Sequence, residues 1–150
     1  MDTLNKIAWN FNNIEYTTID DFNQKVLQYQ FDIMKARDCW RSDEIVVFSS
    51  SIAVVFTAWI ESENLAENET LLENDDFFED EDNSDDGLFQ AEIQALFEAD
   101  NGKTFTALEL LYKLGKQLKF KDLGDHTFFE GLSEEKSEDG IPLFYLRCGS

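Results

Sequence analysis

Basic residues are missing from one long stretch of this chain. From residue 61 to residue 86, 13 of the 26 residues are Asp or Glu and none is Lys or Arg. Over the whole chain, 32 acidic residues against 12 basic ones give a formal net charge of −20. Such a charge repels nucleic acid and acidic membranes and attracts basic proteins. We therefore expect a basic protein as the partner, with no nucleic acid and no membrane.

Cysteine, histidine and long apolar runs are also scarce. Cys39 and Cys148 have no CxxC spacing, and His126 is the single histidine, so no usual zinc set can be assembled. The acidic stretch also lacks the spacing of a calcium-binding loop. No run approaches the ~20 apolar residues of a membrane span, and the start lacks a secretory signal. We expect a cytoplasmic protein with free thiols and no metal or cofactor.

Catalytic motifs are absent as well. The chain has no Gly-x-Ser-x-Gly, no His-Glu-x-x-His and no glycine-rich phosphate loop. One constellation, Asp125, His126 and Glu130, could support an acid/base hydrolase, but it lacks a nucleophile and a metal set. We interpret His126 as a hydrogen-bonded structural residue at a strand start, and we expect a protein that is not an enzyme.

Apolar residues are abundant, which indicates a folded body beneath the charge. The hydrophobic content is 43%, and 14 residues are phenylalanine. A chain of this size buries roughly 68–70% of its unfolded surface as one domain. We expect a single domain over residues 1–150 with an acidic, flexible loop at residues 61–87.

Two helices are predicted. In the first, Phe22, Val26, Tyr29 and Ile33 recur at helical spacing, after a cap at Thr18 or Asp20.

The second helix begins with a capping box, Thr106 to Glu109, and runs to about Leu118. Its end carries the only basic cluster of the chain, which comprises Lys113, Lys116, Lys119 and Lys121.

Strands account for the remaining apolar segments. Residues 89–99 alternate with period two, and residues 52–60 are apolar on both parities, which is typical of a strand covered on both faces. We expect hairpins between 45–48 and 52–60, through Ser49-Ser50-Ser51, and between 126–132 and 141–148, and a short first strand around Trp9. The class is α+β, with a mostly antiparallel sheet of about five or six strands and two main helices.

The last third of the chain carries a resemblance. It reads Phe97-Glu98-Ala99-Asp100-Asn101-Gly102, then Leu123-Gly124-Asp125-His126-Thr127-Phe128-Phe129-Glu130-Gly131-Leu132, and finally Pro142-Leu143-Phe144-Tyr145-Leu146. This resembles the C-terminal part of a group of bacterial immunity proteins that neutralise contact-dependent growth inhibition toxins, among them metal-dependent DNases. The resemblance implies a cytoplasmic, non-enzymatic protein that binds one cognate toxin C-terminal domain and blocks its active site.

The acidic stretch is the predicted partner-binding site. An acidic inhibitor can occupy the basic surface with which a nuclease holds phosphates, and aromatic residues can anchor the complex. The alternative is an acidic DNA mimic or regulatory protein that sequesters a DNA-binding protein. For either function we expect the contacts to come from Asp75, Asp76, Phe77, Phe78, Glu79, Asp80 and Asp82.

Overall fold

A computed structural model describes residues 2–11, 15–36 and 38–149, and its largest feature is an eight-stranded sheet. The strand order is β1-β9-β10-β4-β7-β5, with β2 pairing with β9 and β6 pairing with β7. A separate two-stranded sheet joins β3 and β8. The strands are β1 (Asp2–Thr3), β2 (Trp9–Asn10), β3 (Ile45–Val47), β4 (Ser51–Ile60), β5 (Glu69–Leu71), β6 (Ser84–Asp85), β7 (Leu88–Glu98), β8 (Phe105–Thr106), β9 (Phe128–Glu135) and β10 (Leu143–Gly149).

The predicted α+β class is confirmed. The sheet is mostly antiparallel, with one parallel pair between β4 and β10. The sequence analysis gave five or six strands, and the sheet has more because β1, β5 and β6 are only two or three residues long. Such short strands carry too few residues to show a period-two pattern.

Both predicted helices are present, as α1 (Ile19–Met34) and α2 (Ala107–Leu118). The Thr18 side chain caps α1 by accepting from the Asp21 N–H at 3.0 Å, and Lys35 ends the helix in the left-handed conformation with a φ of 57°. The Thr106 hydroxyl caps α2 by accepting from the Glu109 N–H at 3.1 Å. The Glu109 carboxylate accepts from the Asp100 N–H, which ties the first turn of α2 to the turn after β7.

The core lies between the helices and one face of the sheet. β4 and β7 pair from Ser51 with Glu98 to Ile60 with Phe89, so the even-numbered residues of β4 share a face with the odd-numbered residues of β7. This face and the buried face of α2 form one contiguous core. Its members from these three elements are Ile52, Val54, Phe56, Ala58, Ile93, Ala95, Phe97, Ala107, Leu110, Leu111, Leu114 and Leu118.

The prediction of a hairpin through Ser49-Ser50-Ser51 is wrong. β3 pairs with β8 instead, with Ile45 opposite Thr106 and Val47 opposite Phe105. The Ala107 N–H, at the start of α2, also donates to the Glu44 carbonyl at 2.8 Å. Glu44 and β3 therefore hold the first turn of α2 in place through backbone hydrogen bonds. β4 takes its partners from β7 and β10.

The buried stripe of α1 differs from the predicted one at its C-terminal end. Phe22 and Val26 are fully buried, as expected, but Ile33 is 58% exposed and Gln30 is buried in its place. The Gln30 side chain pairs with the backbone of Ala8: Oε1 accepts from the Ala8 N–H at 2.7 Å, and Nε2 donates to the Ala8 carbonyl. The Gln30 amide satisfies the backbone N–H and carbonyl of Ala8 where that segment crosses the helix. An apolar side chain could not satisfy these groups.

We expect Gln30→Leu to lower the free energy of unfolding by about 1–3 kcal/mol, because two backbone groups of Ala8 would lose their partner. The matched control is Gln24→Leu at an exposed position of the same helix, with an expected change of about 0.5 kcal/mol or less. Urea unfolding followed by tryptophan fluorescence measures both. Equal losses in the two variants would contradict the role given to Gln30.

Candidate functional site

All seven predicted partner-binding residues lie in one segment, residues 74–87, which we call the acidic arm. The structure gives this part of the predicted loop two 3₁₀ turns, Phe77–Glu79 and Glu81–Asn83, followed by β6. Phe77 and Phe78 are half-buried. The five predicted carboxylates are exposed: Asp75, Asp76, Glu79, Asp80 and Asp82.

Hydrogen bonds within the arm connect its two 3₁₀ turns. The Asn83 side chain donates to the Phe77 carbonyl at 3.0 Å, and the Asn83 N–H donates to the Asp80 carbonyl at 3.0 Å. The Asp80 carboxylate accepts from the Asp82 N–H at 3.0 Å. Asp80 thus shapes the arm as well as contributing charge.

A tight turn joins the arm to β7. Asp85 pairs with Leu88, and the two residues between them, Asp86 and Gly87, have φ values of 52° and 82°. Positive φ at both central positions is the geometry of a type I′ hairpin, for which Asp-Gly is a preferred sequence. This dipeptide was the signal in the sequence that could have predicted β6, and the sequence analysis missed it.

Three phenylalanine rings pack beneath the arm. The ring centroids of Phe77 and Phe78 are 5.2 Å apart, and they lie 5.6 Å and 5.0 Å from the ring of Phe89 in β7. Phe89 is 9% exposed. The two arm phenylalanines therefore hold the arm against the sheet, a role beyond that of the anchors that the sequence analysis expected.

A buried carboxylate fixes β5, which leads into the arm. The Glu69 side chain is fully buried and accepts hydrogen bonds from Lys121 at 2.7 Å, from Gln117 at 2.6 Å and from the Ala66 N–H at 2.8 Å. Burial alone would raise the pKa of Glu69, but these three donors outweigh burial and hold its pKa below the usual value. Gln117 thus ties β5 to α2, and Lys121 ties β5 to the segment that follows α2.

Lysines of the predicted basic cluster contact other side chains of the same chain. Lys113 contacts Asp100 and Glu109, each at 2.9 Å, and Lys121 contacts Glu69. The Lys116 ammonium lies 4.9 Å from the centre of the Tyr112 ring. Lys113 and Lys121 thus neutralise carboxylates of the chain itself.

Asp125, His126 and Glu130 are all exposed. His126 precedes β9, as predicted, but its side chain is 63% exposed. Its Nδ1 lies 3.4 Å from the Cys148 carbonyl oxygen, and its Nε2 lies 3.4 Å from an Asp125 carboxylate oxygen. These contacts are long for hydrogen bonds, so the ring is held loosely.

The two cysteines, Cys39 and Cys148, are both free. Burial, with a smaller contribution from Glu130, raises the pKa of the Cys148 thiol to about 12. In the described part of the chain, no three His, Cys, Asp or Glu side chains converge as a metal site would require. Within the same residues, neither helix has the length and apolar character needed to cross a bilayer.

Comparison of the chain with protein-family models, with curated proteins and with solved structures found no match.

Replacing the buried carboxylate tests the attachment of β5. We expect Glu69→Gln to lower the free energy of unfolding by about 2–4 kcal/mol at neutral pH, because Lys121 would lose its charged partner. Since the folded-state pKa of Glu69 lies below the unfolded value of about 4.3, the difference between wild type and variant should be complete above that pH. It should shrink as the pH falls through the folded-state pKa. Chemical denaturation at several pH values measures it, and a pH-independent difference would contradict the assignment.

Removing one ring tests the packing of the arm. We expect Phe78→Ala to speed amide hydrogen exchange across residues 74–86, because the arm would lose its ring contact with Phe89. Phe48→Ala, at a residue that is 80% exposed, is the control and should leave exchange in the arm unchanged. Exchange followed by mass spectrometry gives the comparison, and an unchanged arm in Phe78→Ala would show that the rings do not order it.

Proposed function

We propose that this chain is an immunity protein that acts in the cytoplasm, where it binds a cognate basic toxin, a nuclease, and blocks its active or substrate-binding site without catalysing a reaction. The resemblance of the last third of the chain supports the class. The acidic arm supports the mode of binding, and it is the observation that carries the proposal.

The arm presents its charge from a fixed platform. Five carboxylates point to solvent from two short turns that are hydrogen-bonded to each other, closed by a type I′ turn and packed on Phe89. A surface that is ordered before binding loses less conformational entropy when the complex forms. The arm can therefore attract and position a cationic surface without first folding onto it.

Strand directions concentrate further acidic residues at the arm's end of the sheet. β4 and β10 are parallel and β7 runs opposite to β4, so Ile60, Gly149 and Leu88 lie at the same end. The arm leads into Leu88, and the Asp122 backbone pairs with Trp59 near the end of β4. Further carboxylates at this end are Glu61, Glu63, Asp122, Asp125 and Glu130.

This arrangement suits the inhibition of a nuclease. A nuclease must present cationic side chains to hold the phosphate backbone, and clustered carboxylates can take the place of the phosphates. Long-range attraction accelerates encounter, while packed apolar contacts set the residence time of the complex.

The test uses the C-terminal domain of the large toxin whose gene the proposal expects directly upstream of this one. We expect its association rate with the chain to fall at least tenfold between low and high salt, because ions screen the attraction. Stopped-flow fluorescence measures the rate. A wild-type chain that does not bind this domain, or that binds a DNA-binding protein of the cell instead, would overturn the proposal in favour of the DNA-mimic alternative.

A matched pair of variants locates the charge that matters. Asp75→Asn, Asp76→Asn and Glu79→Gln together should slow association about tenfold and leave dissociation less affected, because they remove charge where encounter is steered. The control removes the same charge outside the arm, through Asp38→Asn, Asp43→Asn and Glu138→Gln. Equal slowing by both triple variants would show that only net charge matters.

A further inference from the structure

β4 is apolar on both of its faces, but the helices cover only one of them. Ile52, Val54 and Phe56 point into the core that α1 and α2 close. Ala53 and Val55 point to the other face by alternation. They are 5% and 2% exposed and do not belong to that core. β4 is thus buried on both of its faces, whereas the helices pack against only one of them.

Neighbouring strands shield these two residues and expose an apolar row of their own. Val55 lies between Tyr145 of β10 and Gln94 of β7, and Ala53 lies between Leu143 and Leu96. Tyr145 is 37% exposed and Leu96 is 40% exposed. We call the apolar residues of these two rows on the helix-free face the Leu96–Tyr145 band; they are Leu143, Ala53, Leu96, Tyr145 and Val55.

A cleft opens beside this band. The pairing of β10 with β4 ends at Tyr145 and Val55, after which the Trp59 N–H donates to the Asp122 carbonyl at 2.8 Å. The segment around Asp122 thus separates the ends of the two strands. The gap is a cleft of about 210 Å³ lined by Thr57, Trp59, Gln90, Leu123, His126 and Cys148, among others. Its size suits one inserted side chain, which is how anchor residues engage protein interfaces.

Carboxylates beside the band favour a basic protein as the partner. Glu92, Glu98 and Glu135 share the face of Leu96 and Leu143 by register. Arg147 lies on the same face and is 3.8 Å from Asp2, which offsets its charge. A second copy of the chain would bring together two molecules of net charge −20. Coulomb repulsion opposes that pairing and favours a cationic protein.

We propose that the helix-free face of the sheet is the surface on which the basic partner docks, with apolar side chains on the Leu96–Tyr145 band and one side chain in the cleft beside Trp59. This inference rests on the proposed function and adds the contact that holds the complex after the acidic arm has steered the encounter. An acidic surface alone gives fast association, whereas a long residence time needs desolvated apolar contact.

The experiment measures dissociation of the full chain from the upstream-encoded toxin domain by surface plasmon resonance. The test variant is Leu96→Gln with Tyr145→Gln, which keeps the net charge while replacing apolar surface with polar amides. The control is Ile33→Gln with Phe48→Gln, two residues that are 58% and 80% exposed on other elements. Leu96→Lys is a second test variant, since it also places a cation opposite a cationic partner. Thermal unfolding confirms that each variant folds.

We expect dissociation to accelerate at least tenfold in both test variants and less than twofold in the control. Association of the double test variant should change less than twofold, because its charge is unchanged. If the wild type binds the toxin domain and both test variants dissociate as slowly as the control, the face is not the docking surface and the proposed function stands. If the wild type does not bind the domain, the proposed function fails and this inference fails with it. Concentration-dependent dimers of the wild type in analytical ultracentrifugation that the double test variant abolishes would assign the face to a second copy and overturn the proposal.

Discussion

The ten-residue ladder between β4 and β7 is the interaction on which the rest of the structure depends. Its length brings five pairs of apolar side chains to the core face, from Ile52 with Phe97 to Ile60 with Phe89. Both helices pack on this face. β10 joins the free side of β4, and the short strands β5 and β6 join the free side of β7. β9 then pairs with β10, and β1 and β2 pair with β9, so the sheet extends outward from this one pair.

The acidic arm shows how a fold can hold like charges close together. Repulsion among its carboxylates favours an extended, detached segment. Three attachments oppose that tendency: the buried Glu69–Lys121 pair ahead of the arm, the ring packing on Phe89 beneath it and the Asp86-Gly87 turn behind it. None of these attachments involves a contact of the exposed carboxylates with the sheet, so those charges remain available to a partner.

Local signals in the sequence predicted most of the elements, and their failures have physical causes. The capping box at Thr106 and the period-two pattern of 89–99 depend on neighbouring residues only, and both predicted their elements correctly. The burial of Gln30 depends on a backbone segment 22 residues away, which no helical period contains. The pairing of β3 with β8 joins residues about sixty positions apart. For the site, composition located the arm, whereas its attachment through Phe89 and Glu69 required the tertiary fold.

The position of β10 has a consequence for how the chain is made. β10 lies between β9 and β4, so it connects the edge formed by β1, β2 and β9 to the rest of the sheet. It is also the last of the ten strands to leave the ribosome. During synthesis the β4–β7 pair can form early, but β1 and β2 wait for β9, and an edge of β9 and an edge of β4 stay unpaired until β10 emerges. Such edges are prone to pair with other chains, so rapid closure by β10 protects the nascent protein from aggregation.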